Sequence, residues 1–149
     1  MVNRTVHKDI ENNLNKMSYS EKHNRLLDNR TIKQHNMKEF LYIIRGGDEK
    51  MINASPEYLQ EHMQQWEEWM GGIAQNGQLV GGQPLESVGK TLIESGTKII
   101  DRPLAEGKEL VGGYIIVKAE SLDEACELAK GCPGFVHGTT IEVRELAAM

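Results

Sequence analysis

Cysteine, long apolar runs and nucleotide-type glycine motifs are scarce in this sequence, and each scarcity removes a class of protein. Two cysteines in 149 residues cannot make a disulfide framework, and a reducing, cytoplasmic setting is the natural reading. No apolar run approaches the roughly 20 residues of a membrane-spanning helix, so no membrane partner is expected. The opening MVNRTVHKDIENNL lacks the apolar stretch of a signal peptide. There is no zinc spacing, no paired-cysteine redox motif and no G-x-S-x-G elbow, so neither a metal nor an organic cofactor is expected. Gly89-Lys90-Thr91 looks like the end of a phosphate-binding loop. However, Pro84 stands where that loop needs its first glycine, and the residues after it are strand-like.

Glycine and proline are also missing from one part of the chain. All fifteen glycines and all four prolines lie after residue 45, while seven of the nine asparagines precede residue 37. Residues 1–36 carry seven Lys+Arg against four Asp+Glu (+3), and residues 37–149 carry ten against eighteen (−8), which together give the net −5. Two segments are expected: a polar N-terminal arm over 1–36 and one domain over 37–149. The acidic domain repels phosphate backbones, so no nucleic-acid partner is expected. In the arm, Ile10, Leu14 and Met17 follow a helical spacing, and Ser20-Glu21 can open a short turn ending near Leu27. Met37 offers an alternative start for the chain.

The domain opens with Phe40-Leu41-Tyr42-Ile43-Ile44, which reads as a central strand buried on both faces and ended by Gly46-Gly47. Ser55-Pro56-Glu57 is an N-cap, a first-turn proline and a first-turn acid. The helix they open runs to about Asn76, with Leu59, Met63, Trp66, Met70 and Ile73 on one stripe. Strands are expected over Leu79–Leu85, Leu110–Val117 and Thr139–Leu146, with a hairpin of Thr91–Ile93 and Lys98–Ile100 turning at Ser95-Gly96. Ser121 to Glu124 is a capping box for a second helix carrying Leu122, Ala125, Cys126 and Ala129, stopped by Gly131 and Pro133. The order β-α-β, hairpin, β-α-β predicts an α+β, ferredoxin-like split βαβ fold: an antiparallel sheet with both helices on one face. Its other face needs a cover, so a homodimer through that open face is expected, with the arm as the alternative cover.

Gly81-Gly82 and Gly112-Gly113 fall inside predicted strands, where glycine needs a reason: close backbone approach or a bulge on one reading, floor space for a ligand on the other. With helix residues ~100° apart, His62 lies ~60° from the centre of the apolar stripe, so it is expected to be at least partly buried beside aromatic rings. A structural core histidine and an acid–base group both fit that position. Cys132 reads as a small loop residue rather than a nucleophile.

The string Lys38 to Gly47, followed by Leu79-Val80-Gly81-Gly82-Gln83-Pro84-Leu85, resembles the YCII-related domain family. Asp101 to Glu109 with Val111-Gly112-Gly113-Tyr114, and Ala129 to Pro133 with Thr140 to Arg144, resemble its DGPF-type subgroup, although Arg102 and Leu104 replace the usual glycine and phenylalanine. The resemblance implies a dimeric α/β barrel and an active site built on a first-helix histidine and an aspartate, positions that fall on His62 and Asp101. It also implies relatives that act on chlorinated or hydroxylated rings, or that accompany sigma factors. The expected site therefore has His62 and Asp101 over a floor of Gly81, Gly82, Gly112 and Gly113, with the aspartate raising the imidazole pKa. Gln83, Tyr114 and Arg144 are the candidates for holding a polar substrate, Arg144 because its fork suits a carboxylate. Two functions follow: a lyase- or isomerase-type enzyme acting on a small ring-containing metabolite, or a non-catalytic small-molecule-binding or regulatory module.

Overall fold

In chain order the elements are α1 (Tyr19–His35), β1 (Lys38–Arg45), α2 (Pro56–Gln75), β2 (Leu79–Pro84), β3 (Thr91–Ile93), β4 (Lys98–Ile100), β5 (Val111–Ala119), α3 (Leu122–Ala129), a 3-10 turn (Pro133–His137) and β6 (Thr140–Glu145). They come from a computed structural model that describes residues 18–35, 37–47, 51–105 and 109–148. The chain falls into two units, Met1–Met37 and Lys38–Met149.

In the first unit, α1 is longer than the short turn expected from sequence. It opens two residues earlier, on Ser18. The Ser18 hydroxyl accepts from Glu21 N–H at 3.3 Å, and the Glu21 carboxylate accepts from Ser18 N–H at 2.8 Å. This reciprocal pair satisfies two of the amides that a helix start leaves open. The Ile10, Leu14, Met17 stripe lies outside the described residues.

The second unit is built on a four-stranded antiparallel sheet in the order β2-β5-β1-β6. β1 and β2 both flank β5, and β5 and β6 both flank β1, so each βαβ unit is split by a strand of the other. That is the ferredoxin-like arrangement. Phe40, Tyr42 and Ile44 of β1 and Ile115, Val117 and Ala119 of β5 are buried and pack with Ile73 of α2 and Ala125 and Ala129 of α3. Both helices therefore cover the same sheet face. The intervening residues Leu41, Ile43 and Ile116 are half-buried, so β1 is fully buried on one face only. Strand alternation accounts for the difference: a continuous apolar run does not require two covered faces when half its side chains meet no helix. Tyr42, fully buried, ties sheet to helix by donating its hydroxyl to the Ala125 carbonyl at 2.5 Å. Burial pushes its phenol pKa well up, which keeps it a donor.

α2 starts as predicted, with the Ser55 hydroxyl accepting from Tyr58 N–H and Pro56 in the first turn, and ends at Asn76 before Gly77 at φ +70°. Its buried face is rotated relative to the sequence stripe. His62 and Ile73 are buried and Trp66 and Trp69 pack on the core, whereas Met63 is 63% exposed. Trp69 anchors α2 to α3 by donating to the Leu128 carbonyl at 3.0 Å. α3 is capped by Ser121, while Glu124 accepts from Glu120 N–H, one residue ahead of the usual capping-box donor.

The β3–β4 hairpin forms with the expected register but as a separate two-stranded sheet. Its turn holds Glu94 and Ser95 at positive φ beside Gly96.

Candidate functional site

A cavity of about 780 Å³ lies between α2 and the helix-side face of the sheet, within the range of small-molecule sites. Sequence spacing explains where it sits. Met63, Glu67, Met70, Gly71 and Ala74 recur at helical period and form its α2 wall. Gly71 and Ala74 put almost no side chain where a core helix would fill the space. Opposite them, Leu79 and Gly82 of β2 and Gly113 and Ile115 of β5 form the floor. One end is closed by Gly134 and His137 of the 3-10 turn with Thr139, and Gly47 and Met51 border it after β1.

The aromatic end holds the titratable chemistry. His62 is buried, 9% exposed, and its Nε2 accepts the Trp66 indole N–H at 2.9 Å. Residues i and i+4 of one helix make that bond, and it leaves the neutral ring's proton on Nδ1. The His137 ring lies edge-on to His62 with centroids 4.6 Å apart, and the Tyr58 hydroxyl is 3.3 Å from His137 Nε2. Burial lowers the His62 pKa and the charge of a protonated His137 lowers it further, opposed by a hydrogen bond with Gln65. The sequence reading had a carboxylate raising this pKa. The structure gives the opposite direction, because His62 is enclosed by indole and imidazole rings.

The sequence candidates separate into two groups. His62, Gly82, Gln83, Gly112, Gly113 and Tyr114 all border the cavity, although Tyr114 pairs with Ile43 and Gln83 with Tyr114, so alternation puts these two side chains on the far sheet face and leaves their backbone at the cavity. Asp101, Gly81 and Arg144 do not. Asp101 follows β4, is 83% exposed at its side chain and pairs with Lys90 Nζ at 3.1 Å. The hairpin carries it away because β3 and β4 do not join the main sheet. Arg144 pairs with Leu41 across β1–β6, out of phase with the core-facing Ile141 and Val143, and is 68% exposed at its side chain. Alternation alone turns it from the cavity. Gly81 sits opposite Ile116 on that same far face.

The strand glycines serve backbone geometry first. A Cβ on Gly82 would lie 2.6 Å from the Tyr114 carbonyl oxygen, and one on Gly113 3.0 Å from the Gln83 carbonyl oxygen. Gly112 is the extra residue where the β1–β5 register shifts. Cys132 is buried, and burial pushes its thiol pKa up, away from a nucleophilic thiolate.

Sequence reasoning missed His137, Glu67 and Gly71. His137 comes from a 3-10 turn 75 positions beyond His62, a proximity no periodicity encodes. Glu67 was legible in principle, as a charge interrupting the apolar row between Met63 and Met70. Among the described residues, no group of three or more His, Cys, Asp or Glu gathers as a metal site, and no helix is long and apolar enough to cross a membrane.

The family model of the YCII-related domain matches residues 39–149, the whole second unit but its first residue. The chain belongs to the YCII-related domain family. No curated protein matches it. Among solved structures it is similar to 5-chloro-2-hydroxyhydroquinone dehydrochlorinase (TftG) from Burkholderia phenoliruptrix AC1100, in complex with 2,5-dihydroxybenzoquinone. Identity is 18% and the TM-score 0.38, over 73% of this chain and 93% of that one. The YCII-related domain thus accounts for the unit that carries the cavity, and α1 lies outside it.

Proposed function

We propose that this YCII-related domain, of the DGPF type, binds a small ring-containing metabolite between α2 and the sheet and acts on it by lyase- or isomerase-type proton transfer at His62 and His137. The observation that carries this reading is the contact of two imidazoles, one of them buried, at the end of a mostly apolar cavity of about 780 Å³. Trp66, His62 and His137 give a planar ring aromatic surfaces to pack on. A neutral imidazole carries one donor and one acceptor nitrogen, so the pair can move a proton between two positions of a substrate that displaces the Trp66 N–H from His62 Nε2. The earlier His62–Asp101 pair is replaced by the histidine pair, since Asp101 is engaged with Lys90 on the hairpin. The unit pairs as a homodimer through the sheet face that bears Leu41, Ile43 and Ile116.

One observation favours the second reading, a binding or regulatory module without turnover. His62 Nε2, the ring's lone-pair nitrogen, is already occupied by the Trp66 N–H. A thermal-shift screen of hydroxylated and chlorinated aromatic compounds, followed by assay of the hits for conversion, separates the readings. Hits that are converted, with His62→Asn folded and slowed by about 10²–10⁴-fold, support the enzyme. Hits bound but unchanged on long incubation support the module. A screen in which no ring compound binds contradicts both.

A further inference from the structure

The α2 wall of the cavity carries a carboxylate at an apolar position. Glu67 sits four residues after Met63 and four before Gly71, all three on the cavity side, and it is exposed at the cavity edge. No described Lys or Arg lines the cavity, and Glu67 is in none of the ion pairs among the described residues. The other ionisable residues bordering the space are His62, His137 and Tyr114, the last at a strand position whose side chain stands on the far sheet face with Ile43. A ring that enters and covers Glu67 strips water from its carboxylate, and that loss is offset only if the ring supplies an O–H or N–H donor. A carboxylate or phosphate on the ligand would instead meet the Glu67 charge at close range with no cation between them.

We infer that Glu67 is the specificity-determining residue of this cavity, selecting a non-anionic ring compound that presents hydroxyl or amino donors and rejecting anionic rings and rings without donors. This rests on reading the cavity as the ligand site, and it narrows the substrate class. Polyhydroxylated or aminated rings fit, and aromatic acids and phosphorylated compounds do not. It also removes the reason for seeking an arginine partner. Arg144, the residue suited to a substrate carboxylate, is on the other side of the sheet, and the cavity's own charged side chain has the opposite sign.

Three probes of similar size isolate the two components: resorcinol (two donors, neutral), 1,3-dimethoxybenzene (no donor, neutral) and benzoate (anionic). Binding is followed at pH 7.5 by the indole N–H resonance of Trp66, assigned with Trp66→Phe, in the full chain and in its Glu67→Gln and Glu67→Leu variants. The wild type is expected to bind resorcinol about tenfold more tightly than either other probe, one charge-assisted hydrogen bond being worth about that much. Glu67→Gln keeps an acceptor but loses the charge, so the resorcinol preference over benzoate shrinks at least about threefold. Glu67→Leu loses both, and dimethoxybenzene then binds at least as well as resorcinol.

Benzoate matching resorcinol in the wild type overturns the assignment, as do ratios that stay within about twofold in both variants while the probes still bind. Neither result touches the cavity reading. If no probe moves the Trp66 resonance while the protein stays folded, the cavity reading fails and the assignment with it.

Discussion

Gly71 and its neighbour Gly72 are a paired test of what the cavity is for. Both lie inside α2, and a Cβ added to either would meet nothing within 4 Å. Gly71 lines the cavity, and Gly72 is exposed and does not. Glycine inside a helix costs about 0.5–1 kcal/mol relative to alanine, through backbone entropy. With no clash to offset that gain, Gly71→Ala and Gly72→Ala should each stabilise the domain by about this amount. In a thermal melt that is a rise of about 2–6 °C for a domain of this size. Larger side chains separate the two sites. A helical leucine leans back toward the preceding turn, so Gly71→Leu projects over Glu67 and Met63 into the ligand space, whereas Gly72→Leu projects along the exposed surface. An overlap of one or two methyl groups costs about 1–3 kcal/mol, so ligand affinity should fall at least about fivefold in Gly71→Leu and stay within about twofold in Gly72→Leu. The assay is calorimetric or NMR titration of a screened ring compound against all four variants, beside their melting curves. A stable Gly71→Leu variant that binds like the wild type would refute the reasoning, and equal losses in the two leucine variants would too.

Other expectations follow from single contacts. Tyr42→Phe removes the buried hydroxyl that donates to Ala125 O and should lower stability in urea by about 1–2 kcal/mol at unchanged m-value. Gly82→Ala places a methyl 2.6 Å from the Tyr114 carbonyl oxygen, a backbone atom, and should cost about 1–3 kcal/mol in the same assay. The His62 pKa is lowered on folding from its ordinary 6.5 by burial, so the unfolded chain takes up that proton first. The contribution is therefore fully present above pH 6.5 and is lost as pH falls below it towards the folded value, and His62→Asn should flatten this part of the stability–pH curve. Sedimentation at micromolar concentration should give a dimer, and Ile43→Lys on the open face should give a monomer that still binds ligand. A wild-type monomer would remove the homodimer from the account.

The legible parts of the fold were those written in local chemistry. Ser55-Pro56-Glu57 and Ser121 to Glu124 marked both helix starts of the domain, and Ser95-Gly96 marked the hairpin turn, because caps and turns depend on a few adjacent residues. The β-α-β order gave the split βαβ fold because few topologies accommodate it. His62 was legible as a half-hidden histidine since helical period places it at the edge of the apolar stripe. Asp101 was misplaced because local pattern cannot say whether a hairpin joins the main sheet. Arg144 was separable in principle, since Ile141 and Val143 alternate with it and face the core. His137 could not be found from spacing, as only the fold brings a 3-10 turn after α3 against the first turns of α2. The depth of the cavity was hidden for a related reason: Gly71 and Ala74 read as ordinary helix residues until the sheet opposite them is known.

The central claim, that the space between α2 and the sheet is where this domain meets its ligand, has one direct test. A ring compound found by screening is titrated into the isotope-labelled chain, and the resonances of Trp66 Nε1–H and the His62 and His137 imidazoles are followed. The account predicts saturable shifts at all three with one dissociation constant, which rises at least about fivefold in Gly71→Leu. Shifts confined to the β3–β4 hairpin or to Leu41, Ile43 and Ile116 on the far sheet face, with the three cavity reporters unmoved, would contradict it.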